Sequence, residues 1–243
     1  MNNKKFAFII CTNNDILLEE SIHYINHLIV PDGYEVELLT VNDATSMTSG
    51  YNEAMSETEA KYKIYIHQDV FILNKNLLSD LLGIFQSDSL IGMIGMVGYD
   101  SISPDGIMWH KKRKGNLYQQ KPGAIYPPLT EYEYSLIKDG YSYAALIDGF
   151  FMATCYDLPW DTAVLKGWDF YDAFQSINFL THGCKIAVPN QKHPWCVHDD
   201  NKFPNLSNYN HYRNIFLQTY SQFIGKNYQE IYINDTTQTN RGI

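Results

Sequence analysis

Between Lys5 and Val97 the chain repeats one pattern: a β-favouring run that stops in polar loop residues, followed by an amphipathic segment. The first run, Lys5-Phe6-Ala7-Phe8-Ile9-Ile10-Cys11-Thr12, has no polar alternation, the mark of a strand buried on both faces. Asn13-Asn14-Asp15 follows as a loop and helix-cap signal. Leu18, Ile22, Ile25 and Ile29 then form a helical stripe, with Glu19 and Glu20 in the first turn, and Pro31-Asp32-Gly33 stops it. Tyr34 to Val41 reads as a second strand ending in Asn42-Asp43. Residues 48–60 read as a helix with Tyr51, Ala54, Met55 and Thr58 on one side. Tyr62 to Ile66 is a third strand ending in His67-Gln68-Asp69, a Leu-rich helix covers 76–86, and Ile91 to Val97 is a fourth strand. This alternation predicts an α/β fold, a mostly parallel sheet with helices on both faces.

After Gly98 the rhythm changes. Residues 99–141 contain Pro104-Asp105-Gly106, a basic run, Pro122-Gly123 and Pro127-Pro128, which is loop and hairpin chemistry rather than another strand–helix series. Strand character returns at Tyr143 to Ile147 and Phe150 to Thr154. A helix is expected over 169–181 with Phe170, Phe174 and Ile177 on its core face, then short strands at Lys185 to Val188 and His193 to His198. A helix over 208–224 and a polar tail close the chain. With 243 residues, 45% of them hydrophobic, there is material for one large domain with a full core or at most two small ones, and a disordered chain is excluded.

The net charge of −9 argues against a nucleic-acid partner, because each phosphate contact wants a cation. No stretch has the roughly 18 apolar residues of a spanning helix, and Met1-Asn2-Asn3-Lys4-Lys5 lacks a signal peptide's apolar region, so a cytoplasmic protein is expected. Four cysteines, Cys11, Cys155, Cys184 and Cys196, are scattered with no CxxC pair. A zinc site could be drawn from Cys184, His193, Cys196 and His198, but the spacing fits no standard finger. Buried, reduced thiols are the expectation.

In open α/β sheets ligands sit at the carboxyl ends of strands. Three such ends here are polar: Thr12-Asn13-Asn14, Asn42-Asp43 and His67-Gln68-Asp69. One polar end is ordinary turn chemistry, whereas three along one edge point to a polar ligand such as a nucleotide. No glycine-rich phosphate loop is present, which argues against a classical NAD enzyme or ATPase. A bound diphosphate would therefore need another source of positive charge, and a metal is the obvious one.

Phe8-Ile9-Ile10-Cys11-Thr12-Asn13-Asn14, Val41-Asn42-Asp43, Ser49-Gly50-Tyr51-Asn52-Glu53-Ala54 and Lys61-Tyr62-Lys63-Ile64-Tyr65-Ile66-His67-Gln68-Asp69-Val70 together resemble the nucleotide-sugar half of family-2-like GT-A glycosyltransferases. The last stretch stands where that family carries its DxD motif, with His67 and Gln68 in the earlier positions and only Asp69 acidic. The His-Gln-Asp-Val form looks like that of a bacterial glycosyltransferase-like subfamily. The resemblance implies a single GT-A domain: a Rossmann-like donor half over 1–98, an acceptor half over 99–228 with a smaller mixed sheet, and a tail over 229–243. It implies a UDP- or GDP-sugar donor, a divalent metal (Mn²⁺ or Mg²⁺), and a hydroxyl acceptor, often a growing surface glycan or its lipid-linked form.

The resemblance also assigns residues. Asp69 and His198, the latter in Trp195-Cys196-Val197-His198-Asp199, would hold the metal. Asn14 and Asp43 would grip the nucleoside. Thr12, Asn52, His67, Gln68 and Asp148, the last in an Asp148-Gly149 turn like the family's, would serve the donor site. Inverting transfer needs a carboxylate to deprotonate the acceptor hydroxyl. The family's base is the Asp of a Glu-Asp pair opening a helix. Here Tyr171 replaces the Glu, and Asp172 lies eleven residues before Gly183, as the family pattern expects. Asp172 is the expected base and Asp169 the runner-up, both on the polar side of their helix.

Other readings stand beside these. Acidic residues in a first helical turn are also favoured by the helix dipole alone. Trp168 reads equally as a sugar platform or a loop anchor. Lys111-Lys112-Arg113-Lys114-Gly115 reads first as a solvated hairpin tip, and second as a contact to a phosphorylated acceptor or an anionic membrane. The rival functions are a sugar nucleotidyltransferase, which would want a glycine-rich basic N-terminal loop, and a glycan- or nucleotide-binding protein on the same frame.

Overall fold

The computed structural model describes residues 1–119, 130–133, 140–199 and 206–232. The first half follows the expected alternation: β1 (Asn2–Cys11), α1 (Asp15–Asn26), β2 (Glu35–Val41), α2 (Met47–Ser56), β3 (Ala60–Ile66), β4 (Val70–Ile72), α3 (Leu77–Ser87), β5 (Ile91–Gly95) and β6 (Val97–Tyr99). The second half adds β7 (Arg113–Gln119), β8 (Thr130–Glu133), β9 (Tyr141–Tyr143), β10 (Leu146–Ile147), β11 (Phe151–Thr154), α4 (Tyr171–Thr181), β12 (Lys185–Pro189), β13 (Cys196–His198), α5 (Tyr209–Thr219) and α6 (Tyr228–Ile231). Among the described residues no helix is long and apolar enough to cross a membrane.

A seven-stranded sheet runs in the order β2-β1-β3-β11-β5-β12-β9. β1 is parallel to β2 and β3, and β12 to β5. β11 runs antiparallel between β3 and β5, and β9 antiparallel on β12, so the sheet is mixed. The second half enters the sheet without the strand–helix alternation that enforces parallel pairing. The uninterrupted apolar run of β1 does what its composition demands: Phe6 to Ile10 are wholly buried between helical layers.

A smaller mixed sheet runs β10-β6-β7-β13-β4, with β8 paired to β7. The chain passes from the large sheet into the small one at His67-Gln68-Asp69, between β3 and β4. That corner is where the site forms.

Several local expectations shift. α1 is capped by the Asn14 side chain and ends at Asn26, so Ile29 falls beyond it and is 54% exposed rather than part of the stripe. The run expected as one strand from Ile91 to Val97 breaks at Met96, where the chain moves between sheets, and Tyr143 to Ile147 divides likewise into β9 and β10. The strand expected from His193 shortens to β13, and the helix expected to reach 224 ends at Thr219, followed by a 3₁₀ turn. The boundary expected at 229 falls inside α6, whose Ile231 is buried. Pro122-Gly123, Pro127-Pro128 and the tail from 233 onward lie outside the described residues.

Candidate functional site

Strand pairing explains how residues far apart in sequence meet. β13 pairs antiparallel with β4, setting His198 opposite Val70, and the Asp199 amide donates to the Asp69 carbonyl at 2.8 Å. His198 is thereby beside Asp69. The His67 amide donates to the Phe150 carbonyl at 3.1 Å, which ties the same corner to the start of β11. His198 Nε2 stands 3.4 Å from Asp69 Oδ1, and His67 Nδ1 stands 4.0 Å from that same oxygen. The Phe150 ring stacks on the His198 ring, with centroids 5.2 Å apart.

This trio has the properties of a cation site. Asp69 Oδ1 is buried without a hydrogen bond of good geometry, although a buried carboxylate oxygen ordinarily has a partner. One ligand atom from each of His67, Asp69 and His198 lies within 4.8 Å of the others, the one such group among the described residues. Ligand oxygens and nitrogens around an octahedral ion stand about 3 to 4 Å apart, which accommodates both short approaches. Burial works against ionisation of Asp69, but His198 and then His67 outweigh it and hold the carboxyl down at about 2. Burial lowers His67 to about 4, so its imidazole is neutral and has a lone pair to give. The residues present fit a divalent ion.

Gln68 faces the other way and organises the end of β1. Its Oε1 accepts from Thr12 Oγ1 at 2.7 Å and from the Asn13 and Asn14 amides, each at 2.9 Å. Its Nε2 donates to Asn13 Oδ1 at 2.8 Å. A cavity of about 380 Å³ opens here, lined by Thr12, Asn13, Asn42, His67, Gln68 and Asp69 among others.

A second cavity, of about 420 Å³, also borders His67. Its polar lining includes Asp148, Asp169, Asp172 and Arg113, and Trp109, Trp168 and Tyr209 supply aromatic surface. His67 and Trp168 border both cavities. Asp172 is buried, with Oδ2 accepting from the Gly149 amide at 3.0 Å and Oδ1 from the Ala173 amide at 2.7 Å. Burial, and after it the charge of Asp148, push its carboxyl up to about 7, against the pull of those amides. The Tyr171 hydroxyl meets His67 Nε2, which joins the second cavity's helix to the cation site.

The expected site residues therefore divide. His67, Asp69 and His198 converge, Thr12 and Gln68 are bonded to each other beside them, and Asp148, Asp169 and Asp172 share the second cavity. Asn14 Oδ1 is occupied by the Ile16 and Leu17 amides of α1. Asp43 is exposed next to Asn42 and outside both linings. Asn52 bonds both ways to the Trp160 backbone, each bond 2.9 Å, and joins α2 to the segment between β11 and α4. Two expectations need correcting. Asp169 precedes α4 rather than lying on it, because Phe170 takes the left-handed conformation at φ 63° and starts the helix. Asp172 is not on a polar face: every α4 residue except Asn178 and Thr181 is buried.

The basic run is not a hairpin tip either. It leads into β7, where Lys114 pairs with Asp100 and donates to the Tyr143 carbonyl, while Arg113 reaches the second cavity. All four cysteines are buried and none is joined in a disulfide, with Cys184 beside the large sheet and Cys196 in the small one. The sequence reading missed Trp109, Tyr209 and the hydroxyl of Tyr171. The one signal for the last was its place immediately before Asp172.

A family model described as "Glycosyltransferase like family" matches residues 7–220. No curated protein matches the chain in sequence. Among solved structures, the mannosyltransferase PcManGT of Pyrobaculum calidifontis, in complex with GDP-Man and Mn²⁺, is similar at TM-score 0.56 and 12% identity, covering 95% of this chain and 68% of its own. S. aureus TarS 1-349, in complex with UDP-GlcNAc, is similar at TM-score 0.51 and 12% identity, over 84% of this chain. The chain spans 60% of that TarS fragment. At such identity the likeness is one of fold.

Proposed function

Because the chain belongs to the glycosyltransferase-like family, we propose that it moves a sugar from a UDP- or GDP-linked donor to a hydroxyl of a glycan acceptor, with inversion and with a divalent metal. One observation carries this reading: two cavities meet at His67 and Trp168, with a cation-binding trio at the junction and a high-pKa carboxylate on one side only. A donor in the Thr12–Asn13–Asn42 cavity and an acceptor beside Asp172 would meet at that junction. The GDP-Man and UDP-GlcNAc named with the two structural neighbours support a nucleotide-sugar donor. On this reading His67-Gln68-Asp69-Val70 would stand in for the DxD motif, as in the subfamily that the sequence resembles.

Asp69 and His198 would hold Mn²⁺ or Mg²⁺, and the ion would supply charge stabilisation for the diphosphate as it leaves. Asp172 takes the proton of the acceptor hydroxyl while the new carbon–oxygen bond forms and the bond to phosphate breaks. The Gly149 and Ala173 amides fix both of its oxygens. Its pKa of about 7 suits a base at neutral pH, since proton transfer is efficient when the base is poised near the working pH. Asp169 stands in the same cavity as a second carboxylate, and burial raises its pKa too.

Release of UDP or GDP from a panel of nucleotide sugars, with Mn²⁺ or Mg²⁺, tests the proposal. The expected result is slow release from one donor that Asp172→Asn abolishes while nucleotide binding persists. Nucleotide or glycan binding with no release from any donor would favour the non-catalytic alternative. Release of pyrophosphate from a sugar phosphate and a nucleoside triphosphate would favour the nucleotidyltransferase.

A further inference from the structure

His67 is more than a neighbour of the cation site. One ring nitrogen, Nε2, meets the Tyr171 hydroxyl, and the other, Nδ1, faces Asp69 Oδ1 at 4.0 Å. That separation is too long for a hydrogen bond. If Nδ1 carried the proton, it would be aimed at an oxygen that it does not reach. If Nε2 carries it, the Tyr171 hydroxyl accepts the bond and the Nδ1 lone pair faces the carboxylate oxygen that His198 Nε2 approaches at 3.4 Å, an arrangement that makes sense with a cation among the three. Tyr171 cannot easily turn away. It is buried, its ring packs against Tyr51 and Trp160 with centroids 5.9 and 6.1 Å distant, and the missing side chain of Gly149 makes room for its hydroxyl.

We propose that His67 is a third protein ligand of the metal, through Nδ1, and that Tyr171 is the positioning residue that fixes its tautomer. The ligand set is then two imidazoles and one carboxylate. Resting on the metal reading above, this deepens it to a statement about which metal. Mg²⁺ prefers an all-oxygen shell, whereas imidazole favours ions later in the first transition row. The site should therefore prefer Co²⁺, Zn²⁺ and, less strongly, Mn²⁺ to Mg²⁺. The bond from the ligating ring to Tyr171 follows the general rule that a metal-bound histidine donates its other N–H to an orienting partner.

The test is a Co²⁺ titration of the whole chain, followed by visible absorption with and without UDP or GDP, with Mn²⁺ and Mg²⁺ as competitors. Wild type should bind Co²⁺ at least about ten-fold tighter than Mg²⁺. Tyr171→Phe, which keeps the ring, should weaken Co²⁺ by about 10- to 100-fold with little change for Mg²⁺. His67→Gln should shrink the preference to what the one remaining imidazole, His198, supports, and Asp69→Asn should weaken all ions alike. If Tyr171→Phe and His67→Gln keep the wild-type ion ratio while Asp69→Asn loses both ions, the third ligand is overturned and the metal reading survives. If wild type binds no ion with either nucleotide, both fall. Long-range ¹H–¹⁵N correlation on metal-free wild type needs no variant: a proton on Nε2 of His67 is expected, and a proton on Nδ1 overturns the proposal.

Discussion

The Gly149 amide donates to Asp172 Oδ2 at 3.0 Å, and this bond joins the turn before β11 to the first turn of α4. It is one of two amide bonds that stabilise the ionised carboxylate, yet burial and then the Asp148 charge win, and the pKa stands near 7. A base must be unprotonated, so turnover should rise with pH through about 7 and fall away on the acid side. Asp172→Asn should lower turnover by about 10²- to 10⁴-fold and abolish that pH limb. Steady-state rates measured from about pH 5 to 9 check this, and an unshifted limb in Asp172→Asn would remove the assignment.

The same shift has a consequence for stability. Between the unfolded value near 4 and the folded value near 7, the native state holds a proton that the unfolded chain has lost. Stability linked to Asp172 is therefore present at acid pH, declines as pH rises across that window, and is absent above it. Asn does not titrate, so the melting temperature of Asp172→Asn minus that of wild type should increase from about pH 4 to 7 and then level off. A difference that stays flat would mean the carboxyl titrates normally.

Gln68 gives one oxygen to three donors, and replacing it with Ala strands the Thr12 hydroxyl and the Asn13 amide and leaves the Asn14 amide only its longer 3.4 Å bond to Thr12 Oγ1. Leaving buried donors unmet costs about 1–3 kcal/mol each, although the exposed Asn13 amide can turn to water. Gln68→Ala should lower stability by about 1–3 kcal/mol in urea unfolding and weaken UDP or GDP binding together. A variant that loses stability but binds nucleotide normally would remove the proposed donor role from the cavity beside this strand end.

How much of this could be read beforehand depends on how local the cause is. β1, β2, β3 and α3 announce themselves because their apolar spacing lies within one segment, and Asn14 is a cap because its partners are two and three residues away. The trio at the corner is different. Asp69 and His198 come together only because β4 chooses β13 as its partner, and no local pattern encodes that pairing. Burial of Asp172 was equally hidden, since α4 is enclosed on nearly all sides by elements from both halves of the chain. Phe170 at positive φ also defies its own propensity, so α4 starts two residues later than its sequence pattern predicts.

Gly149 is required for its missing side chain. A Cβ there would stand 2.3 Å from the Tyr171 oxygen and 2.6 Å from the adjoining ring carbon, and Tyr171 has no free direction in its buried aromatic cluster. Gly149→Ala should cost about 1–3 kcal/mol of stability as an overpacking change. It should also shift the His67 ring signals in NMR spectra, because the clash moves the hydroxyl bonded to that ring. Gly140→Ala is the control, since a Cβ there meets nothing within 4 Å and it should leave both readouts unchanged.

Trp168 borders both cavities while remaining 51% exposed. Its segment is held from behind: the Met47 amide donates to the Gly167 carbonyl at 3.1 Å, and Thr48 Oγ1 to the Leu165 carbonyl at 2.7 Å. Gly167 itself packs so closely on Tyr212 that an added Cβ would be 2.6 Å from its ring. The backbone that carries the indole is thus anchored, and the indole presents an aromatic face at the junction of the two cavities, suited to stacking on the C–H surface of a sugar. Because so much of it is already in water, Trp168→Ala should move stability by less than about 0.5 kcal/mol. It should raise KM for donor or acceptor by roughly 5- to 10-fold, corresponding to about 1 kcal/mol of lost stacking. Thermal unfolding alongside Michaelis curves in each substrate decides it: a large loss of melting temperature would make Trp168 a loop anchor, and unchanged KM for both substrates would remove it from the site.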